Sequence, residues 1–249
     1  MIPLKSENDL ALLRISGLIL ARVMQQLRQI IRAGITTGEI NQLAEALLEK
    51  EDAQPAFKGY KGFPASICTS VNEEIVHGIP GSRILKEGDI ISLDLGVLYK
   101  DYYADAAVTL PVGAVSADLR KLMSVTKASL AEGIRQVRVN NRVSDISHAV
   151  QSHVEKHGFS VVRQFVGHGI GSQLHEEPEI PNFGKPHTGP VLKEGMVLAI
   201  EPMVNVGSWE SEILENGWTA VTKDRLASAH FEHTVAVTKR GPEIITQLP

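Results

Sequence analysis

Four carboxylates stand inside apolar, strand-like runs: Asp94 in Ser-Leu-Asp-Leu-Gly, Asp105 in Tyr-Ala-Asp-Ala-Ala, Glu201 in Ala-Ile-Glu-Pro-Met and Glu232 in His-Phe-Glu-His-Thr. A single acid in a strand ordinarily faces solvent, because Asp and Glu are almost never buried unless paired or bound to metal. Four of them, two in each half of the chain, point elsewhere. Brought together, they cannot all ionise unless cations hold them. His168, in Gly-His-Gly-Ile-Gly, adds an imidazole among neighbours small enough for close approach. One histidine with four carboxylates is a hard, oxygen-rich donor set suited to Mn²⁺, Fe²⁺ or Co²⁺, with Zn²⁺ also within reach. A shared carboxylate would hold two ions about 3.5–4 Å apart, lowering the pKa of a bridging water and making hydroxide available to attack a carbonyl. The single cysteine, Cys68, argues against a closed structural zinc site.

Two further histidines stand in loops between Gly and Pro turns, His77 in Ile-Val-His-Gly-Ile-Pro and His175 in Leu-His-Glu-Glu-Pro. Loops on a rigid scaffold commonly carry function. The pair His153 and His157 has the helical spacing of two ligands, but Val154 stands where a thermolysin-like motif needs Glu. That pair is read as solvated helix surface, and His148, His187 and His230 are read the same way. No Cys-centred motif surrounds Cys68, which reads as a pocket or core thiol. A Gly-x-Ser-x-Gly elbow and a phosphate-loop spacing are both missing.

The elements that would position these groups come in two similar sets. Apolar residues recur at steps of three and four from Leu10 to Ile31, predicting a helix capped by Ser6 with Asp9, and a second helix follows Thr37. The runs Ile90 to Leu98 and Ala104 to Leu110 read as a hairpin. Helical patterns then return at Leu119 to Val139 and Ile146 to His157, followed by strand-like runs at Val197 to Val206 and His230 to Thr238. Leu85-Lys86-Glu87-Gly88 is repeated as Leu192-Lys193-Glu194-Gly195, and on that alignment Asp94 falls opposite Glu201. The expectation is one domain over 1–249, built from related stretches at about 6–112 and 117–241 and joined near 110–118. Two wet-and-buried hairpins predict an α+β fold, a curved antiparallel sheet covered by helices.

Composition sets the class. At 249 residues the chain is long enough to bury roughly 70–75% of its unfolded surface without staples. A net charge of −4 disfavours general nucleic-acid coating. The polar N-terminus does not resemble a signal peptide, and the greasiest early stretch, Ile15 to Met24, contains Arg22 and falls short of the roughly 20 apolar residues of a membrane span. A cytoplasmic protein without direct nucleic-acid specificity or a membrane partner is expected.

Six segments in order resemble the methionine aminopeptidases: Val71-Asn72-Glu73-Glu74-Ile75-Val76-His77-Gly78, Leu93-Asp94-Leu95-Gly96, Gly167-His168-Gly169-Ile170-Gly171, His175-Glu176-Glu177-Pro178, Ala199-Ile200-Glu201-Pro202-Met203 and Phe231-Glu232-His233-Thr234. The resemblance spans essentially the whole chain. It implies the pita-bread fold with two pseudo-twofold-related halves, and a site of two divalent ions. Asp105 and Glu232 would bridge the ions, Asp94 would complete one shell, and His168 and Glu201 the other. By the same resemblance His175 would bond the scissile carbonyl or its oxyanion and His77 would contact the amide side. Glu201 would carry a proton between water and the leaving amine. Tyr60, Phe63, Cys68 and Trp218 match the family's methionine pocket, with Leu174 where some members have Phe. The short span from Glu201 to Glu232 and the early first helix match the type I enzymes. In those relatives the backbone carbonyls of Asn72, Glu74 and Ser228 would hold a monovalent cation. The implied reaction is removal of the initiator methionine from nascent polypeptides with a small second residue, by a monomer in transient contact with the ribosome. The alternatives are an X-Pro peptidase of the same fold and a non-catalytic interaction protein.

Overall fold

The computed structural model describes residues 2–249. Four helices pack on antiparallel strands. Helix α1 (Glu7–Ile30) starts where expected: the Ser6 side chain accepts from the Asp9 amide while Asp9 accepts from the Ser6 amide, and Glu7 and Asp9 place negative charge at the positive end of the helix. Helix α2 (Thr37–Lys50) begins on the same reciprocal arrangement between Thr36 and Glu39. Helix α3 (Ala117–Arg135) is capped by Ser116. At α4 (Val143–Lys156) the Arg142 amide donates to the Asp145 carboxylate at 2.7 Å.

Helix α1 buries Leu10, Leu13, Leu20, Val23 and Leu27, a stripe at helical spacing that packs against the strands Ile90–Tyr99 and Tyr102–Pro111. The helix is 24 residues long, and by length and composition it could cross a membrane. The sequence reading weighed only its greasiest ten residues. Half of its most apolar window is buried within the protein, the pattern of a core helix.

The central hairpin joins Ile90–Tyr99 to Tyr102–Pro111 through Lys100 and Asp101, both at positive φ, the turn geometry that matches the twist of its flanking strands. Its register sets Asp94 opposite Ala107 and Asp105 opposite Gly96. In the second half, Val197–Ile200 lies between Gly167–Gly169 and His233–Thr238. Both repeats of Leu-Lys-Glu-Gly end in a left-handed glycine, Gly88 at φ 92° and Gly195 at φ 84°, each leading into a strand, Ile90–Tyr99 and Val197–Ile200. The isolated pairings Thr36 with Ile84 and Arg142 with Val191 tie each second helix to the segment before that turn.

Two expected strands are interrupted. Val197–Ile200 ends before Glu201, and pairing resumes at Met203–Asn205, because Pro202 has no amide to give to a ladder. Ser228–His230 and His233–Thr238 likewise flank Phe231 and Glu232. Glu201 and Glu232 therefore sit at strand breaks, where the backbone turns its side chains out of the alternating pattern.

The two stretches are stitched together by buried threonines. The Asp105 amide donates to Thr234 Oγ1 at 3.0 Å, and that hydroxyl donates to the Asp105 carbonyl at 2.8 Å. Thr109 Oγ1 accepts from the His230 amide at 2.8 Å, and the Glu232 amide donates to the Ala107 carbonyl at 3.0 Å. Thr234→Val keeps the shape but strands the buried Asp105 amide, so it is expected to cost about 1–3 kcal/mol. Urea denaturation of the metal-free variant should show this; an unchanged midpoint would mean that the hydroxyl does not hold the seam.

Candidate metal centre

All five expected ligands line one cavity of about 260 Å³ at that seam. Asp94 lies midway along its strand beside Cys68, and Asp105 comes from the neighbouring strand of the hairpin. Ligand atoms of Asp105, His168 and Glu232 lie within 4.8 Å of one another, all from buried residues. Glu201 Oε1 stands 3.6 Å from His168 Nε2, while the Glu201 carbonyl accepts from Asn182 Nδ2 at 3.0 Å.

The electrostatics are those of a cation site with its charge uncompensated. Burial pushes the Asp94 carboxyl up to about 7. Asp105, Glu201 and Glu232 are raised well above the usual carboxylate range, first by desolvation and then by charge, from Asp94 on Asp105 and from both aspartates on the two glutamates. Asp94 Oδ1, Asp105 Oδ1 and Glu232 Oε1 are buried without a hydrogen-bond partner. Native proteins rarely leave such oxygens orphaned. His168 Nδ1 lies 2.8 Å from the Gly169 carbonyl, which can only accept, so the proton sits on Nδ1 and Nε2 presents a lone pair to the cavity. Burial lowers the His168 pKa to about 4, keeping the ring neutral. Hard oxygens with one neutral imidazole fit a divalent cation.

The wall of the cavity is apolar and aromatic. Phe63 and Trp218 meet edge to face at 5.2 Å, and Cys68, 3% exposed, has its thiol pushed up by burial and by the nearby Asp94 and Asp105. Leu174 and Tyr60 complete it, together with Phe57 and Lys61, which the sequence reading had not singled out. Gly96 makes room for Phe57, since a Cβ there would strike the phenyl ring.

His175 stands at the mouth, its ring reached by solvent but set between Tyr60 and His168, with centroid distances of 5.2 and 4.2 Å. Its Nδ1 lies 2.9 Å from Tyr60 Oη. Desolvation, then neighbouring His168 and Lys61, lowers its pKa. His77 takes a left-handed backbone at φ 60°, an uncommon conformation for a residue with a side chain. Its ring meets Phe165 and Trp218 edge-on at 5.5 and 6.4 Å, and burial lowers its pKa.

One histidine corrects the sequence reading. His148 and His187 are exposed, but His230 is 1% exposed with both ring nitrogens unpartnered, and its Nε2 is 3.9 Å from Glu201 Oε2. Near the expected monovalent-cation carbonyls, the Asn72 carbonyl accepts from the Ser228 amide at 2.8 Å. Asn205, paired in register with Ser228, keeps a buried Oδ1 without a partner.

The raised carboxyls make metal loading a proton-releasing event. In the metal-free protein burial favours the protonated form of these acids, and ligands must be deprotonated to bind. Calorimetry at pH 7 in buffers of different ionisation enthalpy should show proton release on loading Mn²⁺, with apparent affinity rising from pH 6 to 8. Because the folded pKa values lie above the unfolded ones, these acids stabilise the metal-free fold at low pH, and that contribution is lost as pH rises above the ordinary carboxylate range, for Asp94 up to about 7. Metal uptake without proton release would contradict the arrangement.

Comparison with known proteins agrees with the geometry. A model of metallopeptidase family M24 matches residues 11–239. The methionine aminopeptidase of Clostridium perfringens is 52% identical over 246 residues, covering 99% of each chain. The crystal structure of methionine aminopeptidase from Thermotoga maritima superimposes with a TM-score of 0.98 at 44% identity, covering 100% of both chains. Prolidase from Pyrococcus furiosus, at 21% identity and a TM-score of 0.81, covers 99% of this chain and 66% of its own, and shares the fold. The chain belongs to metallopeptidase family M24, among the methionine aminopeptidases of type I, and is an exopeptidase with the pita-bread fold.

Proposed function

We propose that this enzyme hydrolyses the peptide bond after an N-terminal methionine when the second residue is small, and that it holds two divalent ions to do so. The observation that carries the reading is a cluster of three buried carboxylates, the part-buried Glu201 and one neutral histidine at the base of a small apolar pocket. Asp94, Asp105, His168, Glu201 and Glu232 would hold these ions. Divalent metal in this cradle supplies Lewis acidity and lowers the pKa of a water toward neutrality.

The remaining work belongs to the side chains. Tyr60, Phe63, Cys68, Leu174 and Trp218 enclose an unbranched thioether, whose burial favours methionine over glycine by roughly 2–3 kcal/mol. When Tyr60 Oη–H donates to His175 Nδ1, the proton of the neutral imidazole resides on Nε2, free to donate to the scissile carbonyl oxygen as negative charge develops there. His77 contacts the scissile amide from the opposite wall. Glu201 takes the proton of the attacking water and delivers it to the leaving amine.

All ligands and pocket residues come from one chain, which supports a monomeric working unit and a single catalytic domain over 1–249 made of two related stretches. A monovalent cation at the Asn72, Glu74 and Ser228 carbonyls belongs to the same reading, supported by the orphaned Asn205 Oδ1. The substrate is a nascent polypeptide's N-terminus, met in the cytoplasm in transient contact with the ribosome.

Release of methionine from Met-Ala-Ser should vanish on chelation and return with one or more of Mn²⁺, Fe²⁺, Co²⁺ or Zn²⁺, while Ala-Pro-Ala stays intact. Cleavage of Ala-Pro-Ala instead would favour an X-Pro peptidase. Asp105→Asn should be inactive, and His175→Ala should lower kcat by about 10²–10³ at similar metal affinity. An Asp105→Asn variant with full peptidase activity would overturn the two-ion reading.

A further inference from the structure

The ion pair between Lys5 and Glu176 lies outside the catalytic cluster. Lys5 Nζ stands 2.5 Å from Glu176 Oε2, and the side chains are 7% and 6% exposed. Every other Lys or Arg ion pair among the described residues has at least one well-exposed partner. Burying two charges costs more desolvation than an exposed pair recovers, so a buried pair is poor evidence for stability. Its position suggests another use.

Glu176 directly follows His175, and its other oxygen gathers the loop that carries that histidine. Oε1 accepts from the Gln173 amide at 3.2 Å and from Ser172 Oγ at 3.4 Å. The loop is pinned at its start, where the Tyr103 amide donates to the Gly171 carbonyl at 2.8 Å. Lys5 is anchored separately, its amide donating to the Gly195 carbonyl at 2.7 Å. Its side chain crosses directly over Gly171, where a Cβ would overlap Lys5 Cε. Within the same loop Leu174, 2% exposed, forms part of the pocket wall.

We infer that residues 2–5 form a strap, and that the Lys5–Glu176 pair is a positioning device that fixes His175 against the substrate. Without the ammonium, the Glu176 carboxylate loses its counter-charge and turns toward water, releasing its hold on residues 172–173. The inference rests on the carbonyl-bonding role proposed for His175. A displacement of that ring by about 1 Å is enough to cost about 10²-fold in rate.

The test is a cycle on the full-length, metal-loaded enzyme with Met-Ala-Ser. Lys5→Met should lower kcat by about 10- to 100-fold, leaving metal affinity by calorimetry within about twofold of the parent. In a His175→Ala background, Lys5→Met should change kcat by less than about twofold, because the strap acts through the group already removed. Glu176→Gln, which keeps an acceptor for the Gln173 amide, repeats the cycle if Lys5→Met does not fold. Unchanged kcat in both variants, with His175→Ala impaired, would overturn the strap and leave the His175 assignment standing. Losses that multiply in the double variant would mean that the pair does not act through His175. Wild-type kcat in His175→Ala alone would overturn the His175 assignment and the strap with it.

Discussion

The structure depends on one electrostatic constraint: four carboxylates, three buried and Glu201 largely so, are gathered at the seam between two sets of elements. A cluster of this kind is intolerable as four bare anions, and burial accordingly raises every one of these carboxyls above its ordinary range. Cations offset that cost, which makes the seam a place to store metal affinity. The threonine hydroxyls that stitch the strands beside Asp105 and Glu232 keep the acids from swinging out to water, so the unfavourable arrangement persists.

Around this cluster the other groups are kept neutral. His168 is held as a neutral donor by the Gly169 carbonyl, and burial lowers the pKa of His175, His77 and His230 as well. A neutral rim lets the carboxylates and their cations set the local field. It also leaves His175 without a positive charge beside the carboxylates. The aromatic wall excludes water from one side, strengthening each of these polar interactions.

Local rules in the sequence carried far in this chain. Ser6 with Asp9 announced the start of the first helix and the apolar steps after Thr37 a second, and the structure has both. The repeated Leu-Lys-Glu-Gly marks two left-handed glycine turns, each feeding a strand toward the site. Continuous strands through Glu201 and Glu232 were expected and are absent, although Pro202 was in plain view. Apolar runs read as unbroken strands because periodicity is blind to where a ladder loses its partner. His230 was misread for a related reason: a histidine's burial is set by what packs over it, and nothing within its own segment reports that.

The sequence by itself determined the donor set, the helix caps, the central hairpin and the order of motifs shared with the methionine aminopeptidases, because these are properties of residue type and short spacing. Only the tertiary structure decided how deeply the acids are buried, that Glu201 and Glu232 leave their strands, and that Tyr60 bonds to His175 across 115 positions. The pairing of Lys5 with Glu176, 171 positions apart, belongs with these. Such contacts depend on how distant segments pack and on how much water that packing removes, and neither quantity is encoded in any window of sequence short enough to read locally.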